Sequence, residues 1–360
     1  MLPGFYYAPS PPFFSAEFTT VLSTSGIYAI ISPGNQKQTP FIKGRETAKS
    51  VSLLEENMDK YEKINKLKCE KDTVILAHYY VDGAVQKAAD FVGDSYALAK
   101  KAAGVSQQNI LFAGVSFMGE SAKLLNPGKH VYMADPCAGC KMADMVTPND
   151  VKNIKKCYPD AAVVCYVNST AAVKAVSDVC VTSSNAVRVV RKLKEKQIYF
   201  IPDAHLAQFV AKEAPEKEFI FHNGYCPTHQ QITKEGLLRA KAAHPGALTL
   251  SHPECKEEIL ALSDFVGSTA DIIRFAREHE ANEYLVATET GVFYQLEQEN
   301  PGKEFFPVLK EQVCPDMKLI TLDKLEYILG HLDTQQEIIL DGELIDKAKK
   351  PLERMLLLAE

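Results

Sequence analysis

The segment His222-Asn-Gly-Tyr-Cys226-Pro-Thr-His229 sets a thiol between two imidazoles, in a turn that follows the apolar run Glu218-Phe-Ile-Phe221. That run has the pattern of a buried strand. The crevice at the C-terminal ends of strands is where α/β proteins place their chemistry. A thiol there can be a nucleophile, a metal ligand or a small apolar filler, and filler is the ordinary use of a lone cysteine. Partners elsewhere in the chain decide between these uses.

An internal repeat supplies the partners. Asp90, Asp178 and Asp264 each stand 12 residues after a polar residue, namely His78, Tyr166 and His252. Each stands 20 residues before an apolar run, at Ile110, Ile198 and Tyr284, and 48–50 residues before Cys140, Cys226 or Cys314. Between these markers, apolar runs of strand length alternate with amphipathic stretches of helix length, which predicts parallel, doubly wound sheets. The expected fold is α/β: three homologous α/β/α domains at 49–147, 148–232 and 233–320, in pseudo-threefold arrangement around a central cluster and active site. A flexible extension over 1–48 precedes them, and a helical tail over 321–360 is expected to pack on the body.

Such an arrangement turns equivalent strand ends toward one axis. Cys140, Cys226 and Cys314 then form a ring of three thiolates, lined also by His78, Tyr80, Tyr166, Asn168, His252 and Glu254. The segments Gly93-Asp-Ser95, Thr182-Ser-Ser184 and Gly267-Ser-Thr269 aim three helix N-termini inward. Helix N-termini with hydroxyls suit phosphate or carboxylate, although N-capping is the commoner use of Ser and Thr there.

Three thiolates on three loops hold zinc or an iron–sulfur cluster. Structural zinc closes its shell with four ligands, and only Cys137/Cys140 has Cys-x-x-Cys spacing, with Cys226-x-x-His229 as a second pair. Three cysteines without an obvious fourth fit a 4Fe-4S cluster with one open iron, a Lewis acid for a substrate hydroxyl or carboxylate. Cys137 competes with Cys140 for the first position. Cys69, Cys157, Cys165, Cys180 and Cys255 have no threefold counterparts and are expected to pack in the core or lie on helix surfaces. His130, His205, His244, His279 and His331 are expected on surfaces or helix ends, and His222 at the strand end.

Bulk composition excludes several classes. With 46% hydrophobic and 24% charged residues the chain is of soluble globular type. A net charge of −6 without a basic tract argues against nucleic acid as a partner. No apolar run is long enough to cross a bilayer. Nine cysteines in a long chain without an evident signal peptide point to reduced thiols in the cytoplasm. The first 36 residues contain one charged residue, Glu17, and do not have the pattern of the catalytic fold.

Along the chain stand Ala77-His-Tyr-Tyr80, Gly93-Asp-Ser95, Ala138-Gly-Cys-Lys-Met-Ala-Asp144, Tyr166-Val-Asn-Ser-Thr170, Thr182-Ser-Ser-Asn185, Gly224-Tyr-Cys-Pro-Thr-His229, His252-Pro-Glu254, Val266-Gly-Ser-Thr269 and Thr288-Glu-Thr-Gly291. With this ordered set the chain resembles the quinolinate synthase family, iron–sulfur enzymes of NAD biosynthesis. The resemblance selects Cys140 over Cys137. It implies condensation of iminoaspartate with dihydroxyacetone phosphate to quinolinate, phosphate and water, with an iminoaspartate-producing enzyme as functional partner. It also implies a 4Fe-4S cluster on Cys140, Cys226 and Cys314, and proton transfer by Tyr80 and Glu254. His78, His229 and His252 then position substrate or act in acid–base steps. Tyr166 and Asn168 orient a carboxylate, and Ser95, Ser183, Ser268 and Thr269 hold phosphate and carboxylates. Two positions depart from the family pattern: Val81 replaces a common Gln, and Cys314 lacks the neighbouring cysteine of some members, so no disulfide switch is expected there. The alternatives are a diphthamide-synthase-like radical enzyme and a non-catalytic iron–sulfur or zinc protein. The Ser/Thr set argues against the first, and the Tyr80 and Glu254 pair against the second.

Overall fold

The computed structural model describes residues 59–334 and 337–360, all within one compact unit, Ser52–Glu360. The expected 1–48 extension lies outside the described residues. The first repeat runs α1 (59–70), β1 (Thr73–His78), α2 (Gly83–Ala88), β2 (Phe91–Gly93), α3 (Ser95–Ala103), β3 (Asn109–Ala113), α4 (Ser116–Leu125) and β4 (His130–Met133). The second runs α5 (Pro148–Cys157), β5 (Ala162–Tyr166), α6 (Ala171–Lys174), β6 (Val179–Val181), α7 (Ala186–Lys192), β7 (Gln197–Ile201), α8 (Ala204–Glu213), β8 (Glu218–Phe221) and α9 (Pro227–Gln230). The third runs α10 (Lys234–Ala243), β9 (Leu248–Ser251), α11 (Glu257–Leu260), β10 (Phe265–Val266), α12 (Thr269–Glu278), β11 (Glu283–Ala287), α13 (Val292–Glu299) and β12 (Glu304–Pro307). Helices α14 (Leu322–Gly330) and α15 (Gly342–Ala359) follow.

The described strands form three four-stranded parallel sheets, in the orders β2-β1-β3-β4, β6-β5-β7-β8 and β10-β9-β11-β12. The same order three times over is the repeat in three dimensions, and the three marker aspartates show why their spacing is kept. Asp90 Oδ2 accepts the Ile75 N–H, Asp178 Oδ2 that of Val163 and Asp264 Oδ2 that of Thr249, each at 2.8 Å. In return the aspartate N–H groups donate to the carbonyls of those residues at 3.0, 3.0 and 2.9 Å. A lysine from the helix before the central strand, α1, α5 or α10, reaches each carboxylate: Lys68 at 2.8 Å, Lys155 at 2.9 Å and Lys241 at 3.7 Å. Each aspartate thus fastens the crossover to a central strand just before the chain enters an edge strand.

Strands β2, β6 and β10 carry no sequence signal, because two or three residues are too few to show a period. Strand β8 differs from the buried strand expected over 218–221. It pairs only with β7, so it is an edge, and Phe221 is 47% exposed. The opposite edge, β6, is covered by α15. Leu352 and Met355 of α15 join a continuous core that spans the first two sheets. The third sheet closes each face separately: Tyr284 and Val286 pack on one side with Ile272 and Leu296, Leu285 and Ala287 on the other with Leu237 and Val308. That is the period-two alternation of a strand buried on both faces. No described helix is long and apolar enough to cross a membrane.

Replacing Asp178 by Ala leaves the Val163 N–H unpaired in a fully buried strand. The expected cost is about 1–3 kcal/mol in urea unfolding. Lys155→Met removes only the partly exposed ion pair and is expected to cost below about 1 kcal/mol.

Candidate active site

The C-terminal strand ends of all three sheets open on one cavity of about 110 Å³. Each repeat contributes equivalent pieces to its wall. His78 ends β1 and Tyr80 follows it, Tyr166 ends β5 and Asn168 follows it, and His252 and Glu254 follow β9. Ser95, Ser183 and Thr269 come from the segments after β2, β6 and β10, and the three cysteines from the turns after β4, β8 and β12.

Cys140, Cys226 and Cys314 have the same local setting. Each opens a short helical turn, and its carbonyl accepts the N–H of the fourth residue on: Asp144 at 3.3 Å, Gln230 at 2.9 Å and Lys318 at 3.2 Å. Burial pushes the Cys140 thiol up to about 12, the Cys226 thiol well above its usual value, and the Cys314 thiol up. The N–H of the third residue on, Ala143, His229 or Met317, opposes that rise in each case. Charge on Cys314 opposes ionisation of Cys140, and charge on Cys140 opposes that of Cys226, so the three sulfurs are within Coulombic reach.

The cysteine turns are braced against one another. Asp316 Oδ1 accepts the Gly139 N–H at 3.2 Å, and Glu289 Oε1 accepts the Cys314 N–H at 3.1 Å. His222, expected only to end its strand, donates from Nε2 to Met145 O at 2.8 Å and accepts from the Tyr199 hydroxyl at 2.9 Å. It ties the second cysteine turn to the first. A Cβ at Gly224 would lie 2.5 Å from Pro202 O, so only glycine lets this turn approach so closely. Cys137, Cys69 and Cys157 are exposed, and Cys165, Cys180 and Cys255 are buried in the cores.

Facing the thiols is a buried polar network. Glu254 Oε2 lies 2.8 Å from His229 Nδ1 and 3.7 Å from His252 Nδ1. Burial alone would raise the Glu254 pKa, but His229, His252 and a hydrogen bond from Tyr166 hold it down to about 2. Burial and the Glu254 charge push the Tyr166 phenol well above its usual value. His78 Nδ1 accepts the Tyr80 N–H at 3.2 Å, and His252 Nδ1 accepts the Glu254 N–H at 3.3 Å. The second nitrogen of His252 donates to Ser183 Oγ at 3.2 Å. Tyr80 Oη lies 2.9 Å from Thr269 Oγ1 and 2.7 Å from Thr288 Oγ1. A Cβ at Gly291 would meet the Tyr80 backbone at 2.5 Å, so a glycine is needed behind this residue.

The hydroxyl positions diverge. Asp94, not Ser95, caps α3, accepting from Ala97 N, and Ser95 faces the cavity. Asn185 at the start of α7 makes no side-chain cap, and Ser183 faces the cavity. Ser268 is fully buried away from the cavity wall, its Oγ donating to Asp271 Oδ2 at 2.7 Å in a capping box. The Oδ1 of Asn168 is buried without a protein partner, as suits an acceptor for a ligand. Sequence reasoning assigned no role to Asp94, Thr288 or Glu289. The signal for them was present, since they stand inside Gly93-Asp-Ser95 and Thr288-Glu-Thr-Gly291.

Burial lowers His78 to about 3 and His252 to about 4, against 6.5 in an open chain. Between those limits the unfolded state binds protons that the native state does not, so this stabilisation is complete above about pH 6.5 and is lost as pH falls toward 4. Each histidine contributes a slope of roughly 1.4 kcal/mol per pH unit. Urea unfolding from pH 7 to 5 is expected to show the decline, and His252→Gln to make it shallower. A stability maximum near pH 5 would contradict it.

Residues 62–357 match the family model described as quinolinate synthetase A protein. A quinolinate synthase of Caldicellulosiruptor bescii is 48% identical over 293 residues, covering 81% of this chain and 96% of the relative. One from Fusobacterium nucleatum subsp. nucleatum is 47% identical over 298 residues, 83% and 99% of the two chains. One from Sulfurihydrogenibium sp. is 46% identical over 308 residues, 84% and 99%. With its site residues on one cavity and this match along nearly the whole described body, the chain belongs to the quinolinate synthetase A family.

Proposed function

We propose that this enzyme condenses iminoaspartate with dihydroxyacetone phosphate to give quinolinate, phosphate and water. The observation that carries this reading is the meeting of three equivalent thiols with a buried Tyr–His–Glu network on one cavity. Cys140, Cys226 and Cys314 would hold a 4Fe-4S cluster. The donor set fits: three half-buried cysteines, each thiol facing N–H groups of its own helical turn, which is the hydrogen bonding that ligating thiolates take. When bound through three thiolates, the cluster supplies one open iron as a Lewis acid for a hydroxyl or carboxylate oxygen.

The chain's own residues do the rest. Glu254, held ionised, accepts a proton, and Tyr80 moves a second one, with His229 between them. Tyr166 and the free Oδ1 edge of Asn168 orient a carboxylate. Ser95, Ser183, Thr269 and neutral His252 bind phosphate and carboxylate oxygens as uncharged donors, with His78 beside them. Ser268 serves indirectly by fixing the helix start that presents Thr269. A mononuclear metal on Cys226, His229 and Glu254 is a second reading, since their ligand atoms lie within 4.8 Å of one another. It leaves Cys140 and Cys314 without a role, and 2.8 Å between Nδ1 and Oε2 is a hydrogen-bond distance. The imine substrate, which water hydrolyses, supports pairing with an iminoaspartate-producing enzyme. The free cysteines support a cytoplasmic setting, and the three sheets support domains at 49–147, 148–232 and 233–320 with a 321–360 tail.

Anaerobically purified protein given oxaloacetate, ammonia and dihydroxyacetone phosphate is expected to form quinolinate and phosphate in equal amounts. Glu254→Gln is expected to lower the rate by about 10²–10⁴-fold. Iron-replete wild-type protein that forms no quinolinate would end this reading.

A further inference from the structure

The residue after each cavity cysteine holds the same place in all three repeats. Lys141, Pro227 and Pro315 are each exposed, and each lines the cavity. They form a rim where the wall meets solvent. Two of the repeats put proline there, and Pro227 is the first residue of α9. Proline suits the start of a helical turn, because its φ is already helical and its missing N–H would have had no partner in the turn. The first repeat gives up that preference for a lysine. A residue that departs from the local rule its two equivalents follow has a reason outside the turn itself.

Charge supplies the reason. Lys141 is the one lysine or arginine among the described residues that line the cavity, and its ammonium has no hydrogen-bond or ion-pair partner among the described residues. Lys318, on the third cysteine turn, is already taken: its Nζ lies 3.2 Å from Asp82 Oδ1 and 3.3 Å from Glu289 Oε1, and donates to Tyr80 O at 2.8 Å. The acids Asp94, Glu254, Glu289 and Asp316 line the same wall, and burial keeps His78 and His252 neutral. A phosphate monoester carries roughly two negative charges on one group. On its way in it meets these acids, and deeper it finds only uncharged donors. A free ammonium on a flexible stem offsets that repulsion, and a point charge favours the group on which charge is most concentrated.

We infer that Lys141 is the anion-capturing residue of the cavity rim, binding the phosphate group of the incoming substrate and the inorganic phosphate that leaves. This rests on the proposed function and deepens it, because it assigns the phosphate-bearing substrate, and not the dicarboxylate, to the first cysteine turn.

The test uses iron-replete protein purified anaerobically and three variants. Lys141→Pro restores the residue of the other two repeats, Lys141→Met keeps the stem, and Lys141→Arg keeps the charge. At low ionic strength the proline and methionine variants are expected to raise KM for dihydroxyacetone phosphate about fivefold, with kcat within about twofold and iron and sulfide unchanged. The arginine variant is expected to stay within about twofold of wild type. Raising salt from about 0.01 M to about 0.3 M is expected to shrink the difference, because an exposed charge is screened. Inorganic phosphate, followed by phosphorus-31 resonance, gives a readout that needs no turnover: it is expected to bind the proline and methionine variants about fivefold more weakly than wild type. Wild-type KM in both of these variants overturns the inference, as does a loss confined to kcat, a rise in KM for oxaloacetate with ammonia alone, iron loss in both variants, or phosphate titrations that fail to separate them from wild type. A wild type that binds phosphate through Lys141 yet forms no quinolinate counts against the parent reading alone.

Discussion

A carboxylate that is 3% exposed must be satisfied by its surroundings, and around Glu254 those surroundings are most of the cavity. Hydrogen bonds from His229 and Tyr166 keep it charged. Its charge in turn raises the pKa values of Tyr80, Tyr166, Cys140 and Cys226. The two phenols are thereby kept protonated and able to serve as donors or relays. Burial keeps His78 and His252 neutral, so they meet ligands through single N–H donors instead of full charges. Acids Asp94, Glu289 and Asp316 also line the wall, and Lys141 is the lining lysine.

The three repeats bring these groups together through backbone economy of a specific kind. A parallel sheet sends its strand ends to one edge, and three such sheets arranged alike send three edges to one cavity. This much was legible because Asp90, Asp178 and Asp264 do the same job. A carboxylate that must reach the same position on a central strand cannot drift in register, so its offsets survive when the rest of the repeat has diverged. The edge strands after these aspartates were not legible, because two or three residues show no period. The exposure of β8 was not legible either, since Phe219 and Phe221 have the same composition on an edge as in a core.

At the site, residue type and repeat position were enough to find many of the side chains that face the cavity, though not Asp94, Glu289 or Asp316. They were not enough for those that act through another residue. Ser268 and Thr269 are neighbours in one motif, yet only Thr269 faces the cavity, because the capping box takes the Ser268 hydroxyl. Thr288 and Glu289 were visible as part of a motif, but their partners, Tyr80 and His229 for one and the Cys314 N–H for the other, lie 25 or more residues away in the chain. His222 likewise shows its bridging role only once Met145 and Tyr199 are placed beside it. Long-range hydrogen bonds of this kind leave no spacing signal in one sequence.

The claim on which the rest stands is that Cys140, Cys226 and Cys314 together, and not the neighbouring Cys137, hold a 4Fe-4S cluster. Iron and acid-labile sulfide, measured anaerobically with the visible absorption of the cluster, test it most directly in four variants. Cys137→Ser is expected to keep the full complement of iron and sulfide, while Cys140→Ser, Cys226→Ser and Cys314→Ser each lose most of it. A full cluster in any of those three, or zinc in place of iron in the wild-type protein, would contradict it.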